Sequence, residues 1–504
     1  MPISICTRCL SRLHLGSART PIPVTTSLIQ SSNLHTTSIL QAPNTQNAAK
    51  HKIIYRNVKA ASYRNKRRDT KKLPSVGERR QQRTRIVLSN ANALEVNGLE
   101  DLSLRNFSDE KNVGRVLAFD GQVIDQLREV RGFKKSQSWG LFRRPATLVR
   151  KETVQIAKWM VAEDQEGKRV VVSGEKSGGK SVLLAQAMAM AFMKGWVVMT
   201  IPEAQEYTMN HFAYAPVPKT KDTDVQMYTQ PTLAASLLSR TANANAAVLS
   251  KLKPNTPPPE SARVPSASAN NLHTIAKYGA DHPSAAHDIF TYLLKELTTA
   301  GKEHRPPVLF TVDNLNHWMG PSKYKSAEFE TVHSHQLTMI HTYLDLLFSA
   351  KKPLANGGLI LAATSGSNVP TNPSFDLLLK QVKAAQQGKQ PTDKNFPLPN
   401  PYQKVDSRPL NLLDPAAGTQ LMPLQGVSKA EAAQLMQYYV LSGVLKESVT
   451  PESISEKWTL SGGGNVGEIC RWGEKARLDP EKLVTKFGTN EGIKIGQGEH
   501  RPRG

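Results

Sequence analysis

The sequence predicts an α/β fold built on a parallel sheet, and the spacing of its apolar runs carries that prediction. Short apolar, often β-branched runs recur at Lys168–Ser173, Trp196–Ile201, Val308–Val312 and Leu359–Thr364, with the length and composition of buried strands. Longer stretches with apolar residues at helical spacing separate them. Strands that alternate with helices build parallel sheets, because each crossover helix packs back onto a face of the sheet. The first two runs flank one apolar helix starting near Lys180, a βαβ unit whose crossover is expected to be right-handed.

Taken in chain order, the N-terminal segment is basic. No Asp or Glu precedes Asp69, whereas Arg8, Arg12, Arg19 and eight further Lys or Arg do. Ile3, Ile5, Leu10, Leu13 and Leu15 are interspersed with Arg8 and Arg12, and a Ser/Thr-rich stretch runs through Thr37 and Ser38. Amphipathic, Arg-bearing, Ser-rich and acid-free is the pattern of a mitochondrial transit peptide, expected over residues 1–45, with the matrix as destination. Cys6 and Cys9 fall inside it and Cys470 is the third cysteine, so the mature chain has no disulfide framework.

Residues 46–100 are expected to form a basic arm, largely extended. Arg64, Lys66, Arg67, Arg68, Lys71, Lys72, Arg79, Arg80, Arg83 and Arg85 crowd together with Tyr55 and Tyr63 nearby. Charges this dense repel unless a polyanion neutralises them, which suits an arm lying on RNA phosphates with tyrosines stacked on exposed bases. A solvated linker is the alternative. Over the whole chain, 65 Lys and Arg against 42 Asp and Glu leave a net charge of +23, a field that attracts polyanions. No membrane insertion is expected, because the most apolar stretch, Val182–Met193, is about twelve residues and too short to span a bilayer.

The α/β domain is expected over residues 101–410. Residues 86–150 show no dominant periodicity. Val154, Ile156, Ala157 and Met160 share one face of a helix over Glu152–Val161. Further helices are expected over Gln230–Leu252, Ala285–Thr299 and His335–Ser349. Two insertions are expected to be disordered: residues 253–271, with Pro254, Pro257, Pro258, Pro259 and Pro265, and residues 367–409. A helical domain over 411–490 follows, opened by a capping box of Ser428 and Glu431 ahead of Leu435, Met436, Tyr439 and Val440. Residues 491–504 form a tail.

Between the first strand and its helix stands Gly174-Glu175-Lys176-Ser177-Gly178-Gly179-Lys180-Ser181, which meets every constrained position of the P-loop pattern. Its glycines let backbone N–H groups curl around phosphate oxygens, Lys180 reaches the β and γ phosphates, and the Ser181 hydroxyl ligates magnesium. The helix that begins there adds its positive end. A P-loop also needs a carboxylate near the metal, and Val308–Val312 runs directly into Asp313. The following residue is Asn314, and an amide accepts no proton, so hydrolysis is expected to be slow or absent. Thr364 and Ser365 close the fourth strand, where a hydroxyl can touch the γ-phosphate or cap a turn. Thr364 is therefore grouped with the nucleotide-binding residues. No guanine-specifying Asn-Lys-x-Asp motif occurs. GTP or GDP is the expected cofactor, with ATP as the alternative, together with Mg2+.

The transit segment, basic arm, P-loop, Val312-Asp313-Asn314 and helical tail together resemble the death-associated protein three family, whose members are P-loop subunits of the mitochondrial small ribosomal subunit. The resemblance spans residues 140–480, supported by Pro145–Arg150 and Gly462–Ile469. It implies an AAA-like P-loop NTPase core, a C-terminal helical lid domain, a bound guanine or adenine nucleotide, and contacts with ribosomal RNA, neighbouring small-subunit proteins and the large subunit. Gly174, Gly179, Lys180, Ser181 and Asp313 match the family's nucleotide pattern. One departure stands beside Asn314: where AAA-type lids often carry an arginine on the γ-phosphate, this chain has Gly467, with Arg471 nearby. The leading expectation is a structural ribosomal protein with nucleotide as folding cofactor. The rivals are a P-loop ATPase or GTPase that remodels a partner, and a nucleotide-switched apoptosis or signalling adaptor.

Overall fold

The computed structural model describes residues 86–475, apart from 163–166, 219–224, 302, 350–353, 368–371 and 415–416. The expected transit peptide, most of the basic arm and the C-terminal tail lie outside the described residues. Residues 86–100, assigned to the arm, carry no regular structure but belong to the folded unit, which begins at Ile86. Leu88 is buried and the Asn90 N–H donates to the Phe142 carbonyl at 2.8 Å.

Five strands form one parallel sheet: β1 Lys168–Gly174, β2 Val197–Ile201, β3 Val308–Asp313, β4 Gly358–Ala363 and β5 Gln420–Leu424, in the order β5-β1-β4-β3-β2. All four expected strands are present. The two strands that flank the apolar helix are parallel but not adjacent, because β4 and β3 lie between β1 and β2. The register aligns Ala363 with both Val172 and Asp313, so the C-terminal ends of β1, β3 and β4 come level. β5 is a correction, lying where only helix was expected. Its pairing runs from Gln420 beside Val170 to Leu424 beside Gly174. Its exposed Pro423 is tolerated because β5 is an edge strand.

The helices that position the site are α1 Gly121–Glu129, α2 Lys151–Val161, α3 Lys180–Met193, α4 Pro231–Ala244, α5 Leu272–Asp281, α6 Pro283–Thr298, α7 Thr338–Phe348, α8 Pro373–Gln386, α9 Lys429–Leu441, α10 Pro451–Leu460 and α11 Val466–Lys475. Strand side chains alternate between two cores. Val170, Val172, Leu309, Leu359 and Leu361 meet α1, α2 and α3, whereas Val171, Val197, Phe310, Val312 and Ile360 meet α4 to α8. α3 is apolar on nearly every side because it is enclosed. Gln186 inside it is satisfied by Thr153, by Thr147 and by the Leu148 carbonyl, at 2.7, 2.7 and 2.8 Å. The C-terminal helices have their own core of Leu435, Met436, Tyr439 and Ile469, joined by Phe142 and Leu148 from upstream.

The expected disordered insertions are also corrected. Residues 253–271 contain two short helical turns, at Glu260–Ala262 and Ser266–Ser268, with Ala262 buried. Residues 367–409 contain α8, whose Phe375, Leu378 and Val382 are buried. Among the described residues no helix is long and apolar enough to cross a membrane.

Candidate nucleotide site

The loop leaves the sheet at Gly174, whose φ of 150° and approach to β5 both require glycine: a Cβ there would lie 2.6 Å from the Leu424 carbonyl oxygen. Ser177 adopts a left-handed φ of 61°, a local cost of the kind that clusters at binding sites. The Gly178 N–H donates to the Glu175 carbonyl at 3.2 Å, tightening the turn, and Gly179 ends it. α3 then starts at Lys180 with no side chain capping its N-terminus. The orphan N–H groups of its first turn are left for an anion at the positive end of the helix.

Lys180 is almost completely buried, and its Nζ donates to the Gly174 and Glu175 carbonyls at 2.7 and 2.6 Å. Burial pulls its ammonium below the ordinary lysine range, while Asp313 and Glu175 act in the opposite sense. Both acceptors are neutral carbonyls, and a phosphate oxygen would be the stronger partner. Asp313 ends β3 and is itself buried. One of its oxygens accepts the Asn314 N–H at 2.9 Å, and the other accepts from Lys134. Asn314 has φ 67°, a conformation that asparagine enters far more readily than glutamate.

Thr364 follows β4, its N–H bonded to the Val172 carbonyl at 2.9 Å. Next to it the Ser365 N–H donates to Asn316 Oδ1 at 2.7 Å, which ties this strand end to the turn after Asp313. Lys176, Ser177, Gly178, Gly179, Lys180, Ser181, Asp313 and Thr364 line one cavity of about 540 Å³. Gly174 and Glu175 are outside its lining and form the base of the loop.

Further residues bind the loop to the rest of the fold. Arg150 is buried, and its guanidinium donates to the Gly178 carbonyl at 3.0 Å and to the Gln425 carbonyl, holding the loop to the chain after β5. Asn465 Nδ2 donates to the Lys176 carbonyl at 2.7 Å, and the Gly467 N–H to the Ser177 carbonyl at 3.0 Å. A Cβ on Gly467 would stand 2.5 Å from Ser177 Cβ, so the place expected to lack an arginine is a backbone contact with no room for one. Arg471 reaches the cavity rim, paired with Glu468. Phe142, Leu148, Leu435 and Tyr439 also line this cavity and give it apolar walls. Arg150 closes the Pro145–Arg150 segment already singled out. Lys134 belongs to a stretch with no periodicity to flag it.

The residues fit a nucleoside phosphate: an uncapped helix start, a lysine within the loop, and an apolar recess for a flat ring. For a divalent metal the fit is contested. Ser181 and Asp313 are the candidate protein ligands, but Asp313 already carries the Lys134 ammonium. Among the described residues no cluster of three or more His, Cys, Asp or Glu could hold a metal.

Residues 147–472 match the family described as mitochondrial ribosomal death-associated protein 3. The chain is 40% identical over 403 residues to the small ribosomal subunit protein mS29 of Neurospora crassa, covering 79% of this chain and 83% of that protein. A chain of the solved E. coli MS115-1 HORMA:CdnC:Trip13 complex overlaps 72% of this chain and 83% of its own length at 12% identity, with a TM-score of 0.22. With the family match spanning residues 147–472 and the mS29 relative covering 79% of the chain, this chain belongs to the mitochondrial ribosomal death-associated protein 3 family.

Proposed function

We propose that the chain is a structural component of the mitochondrial small ribosomal subunit in which a purine nucleoside di- or triphosphate, held by Gly174–Ser181, acts as a folding cofactor. The ribosomal part of this reading rests on family membership and on the mS29 relative. The cofactor part rests on one observation: Asn465 and Gly467 bond the P-loop backbone itself. A ligand seated on that loop stiffens the surface on which α11 begins, and α9 to α11 then serve as a lid. Any ligand that binds only the folded state stabilises it without turnover, by about 2.7 kcal/mol at a hundredfold its dissociation constant.

Turnover is disfavoured by the same geometry. Asn314 offers no proton acceptor after Asp313, and Gly467 presents backbone where a γ-phosphate arginine would be needed. The charge-dense part of the basic arm, Lys50–Arg85, is the segment suited to ribosomal RNA.

Sedimentation of mitochondrial extract through sucrose tests the ribosomal role. The chain should travel with small-subunit RNA and be released as salt rises, and recovery only in RNA-free fractions would sink it. For the cofactor role, Lys180→Ala should abolish nucleotide binding and lower the unfolding midpoint of the nucleotide-loaded protein to that of the free protein. Turnover of about one per second, lost in Lys180→Ala, would replace the cofactor by a fuel.

A further inference from the structure

The metal side of the site holds a cation that the chain itself supplies. Lys134 bonds one oxygen of Asp313 although the two residues are 179 positions apart. Lys134 has only 20% of its side chain exposed and Asp313 only 5%, so this differs from a surface lysine sampling solvent. Its backbone is also fixed. The Lys134 N–H donates to Gln137 Oε1 at 2.9 Å, and the same oxygen accepts the Trp139 indole N–H at 2.8 Å. The preceding residue, Phe133, is buried edge-on against Phe119 and Trp139, with ring centroids 6.0 and 5.2 Å away. An aromatic cluster therefore aims this lysine into the cavity it shares with Lys180, Ser181 and Asp313.

A divalent metal in a P-loop bridges a carboxylate to phosphate oxygens and neutralises their charge. An ammonium has three donors, enough to keep Asp313 and still reach a phosphate oxygen. A metal entering here must take a buried carboxylate from its partner and leave an unpaired ammonium behind, which is costly in a desolvated site.

We propose that Lys134 is the resident cation of this site, standing at Asp313 in place of magnesium, so that a nucleoside diphosphate binds nearly as well without divalent metal as with it. This inference rests on the nucleotide reading above and deepens it.

The test uses the full chain and fluorescent N-methylanthraniloyl GDP and ADP, titrated once in excess magnesium and once in EDTA. For the wild type, the two dissociation constants for whichever nucleotide binds should agree within about threefold. In Lys134→Met, binding in EDTA should weaken by at least about tenfold and be restored by magnesium. With GDP present, electron paramagnetic resonance should detect no tightly bound Mn2+ on the wild type and one ion per chain on Lys134→Met. A wild type that loses more than about tenfold in EDTA, or that binds Mn2+ as the variant does, overturns the proposal. If Lys134→Met fails to fold by circular dichroism, the wild-type titrations and Mn2+ measurement decide alone. If neither nucleotide binds the wild type under either condition, the nucleotide reading falls and this inference falls with it, an outcome distinct from metal-dependent binding.

Discussion

Asn314 shows how a residue that looks like a missing catalytic group has a conformational reason to be there. The left-handed backbone after β3 lets its N–H turn back to Asp313 Oδ1, and glutamate adopts that backbone at a cost of about 1–2 kcal/mol. Asn314→Glu is therefore expected to lower the urea midpoint by roughly that free energy and to leave phosphate release at the wild-type rate. A large gain in hydrolysis would show that the backbone is no obstacle. Gly467 behaves similarly, since even a methyl group meets Ser177. Gly467→Ala should cost about 1–3 kcal/mol and weaken nucleotide binding, read by urea melts and fluorescence titration. Lys180 and Asp313 were legible in the sequence because phosphate and metal chemistry impose a short local pattern around each. Lys134 and Arg150 were not, since each reaches the loop from a distant segment through contacts that no spacing encodes.

At the scale of an element, the segment read as a disordered Pro-rich insertion is held by a buried ionic clamp. Glu296 on α6 accepts from the backbone N–H groups of Asn255 and Thr256 at 3.0 and 2.9 Å, and from Arg305 at 2.7 Å. Arg305 in turn donates to the Lys253 carbonyl at 2.6 Å. Proline content alone suggested disorder because the partners that order the segment lie 40 to 52 residues downstream. Both charged side chains are almost wholly buried, at 0% and 3% exposure, so removing one strands the other. Arg305→Ala is expected to destabilise by about 3–5 kcal/mol, measured by urea unfolding. Burial pushes the Glu296 carboxyl up, but bonds from Thr256, Asn255 and Arg305 together outweigh it and hold the group below its ordinary value. The clamp's stability is thus fully present above the unfolded carboxyl pKa and is lost as pH falls through the lower folded one. Arg305→Ala should flatten that acid limb, and an unchanged limb would assign it to other groups.

Across the whole molecule, the sequence made the parallel sheet visible because buried parallel strands are continuous apolar runs. Strand order was not visible: β1 and β2 follow one another in sequence but have β4 and β3 between them, an order that no local pattern encodes. β5 escaped for a related reason, being a short edge strand containing Pro423. Its position matters, because the chain leaving β5 passes Arg150 at Gln425 and pairs the Val427 N–H with the Gly464 carbonyl at 2.8 Å. Gly464 adjoins Asn465, which bonds the Lys176 carbonyl in the loop after β1. The sheet edge, the loop and α11 are thus three stations on one bonded circuit, and a ligand on the loop should be felt at all of them. Hydrogen exchange with and without saturating nucleotide checks this. Protection should rise together in residues 175–181, 425–427 and 465–471, while the hairpin of Pro321–Lys325 and Thr331–His333 stays unchanged. A gain confined to residues 175–181 would mean that the C-terminal helices fold independently of the ligand, and the nucleotide would then be a passenger in the loop.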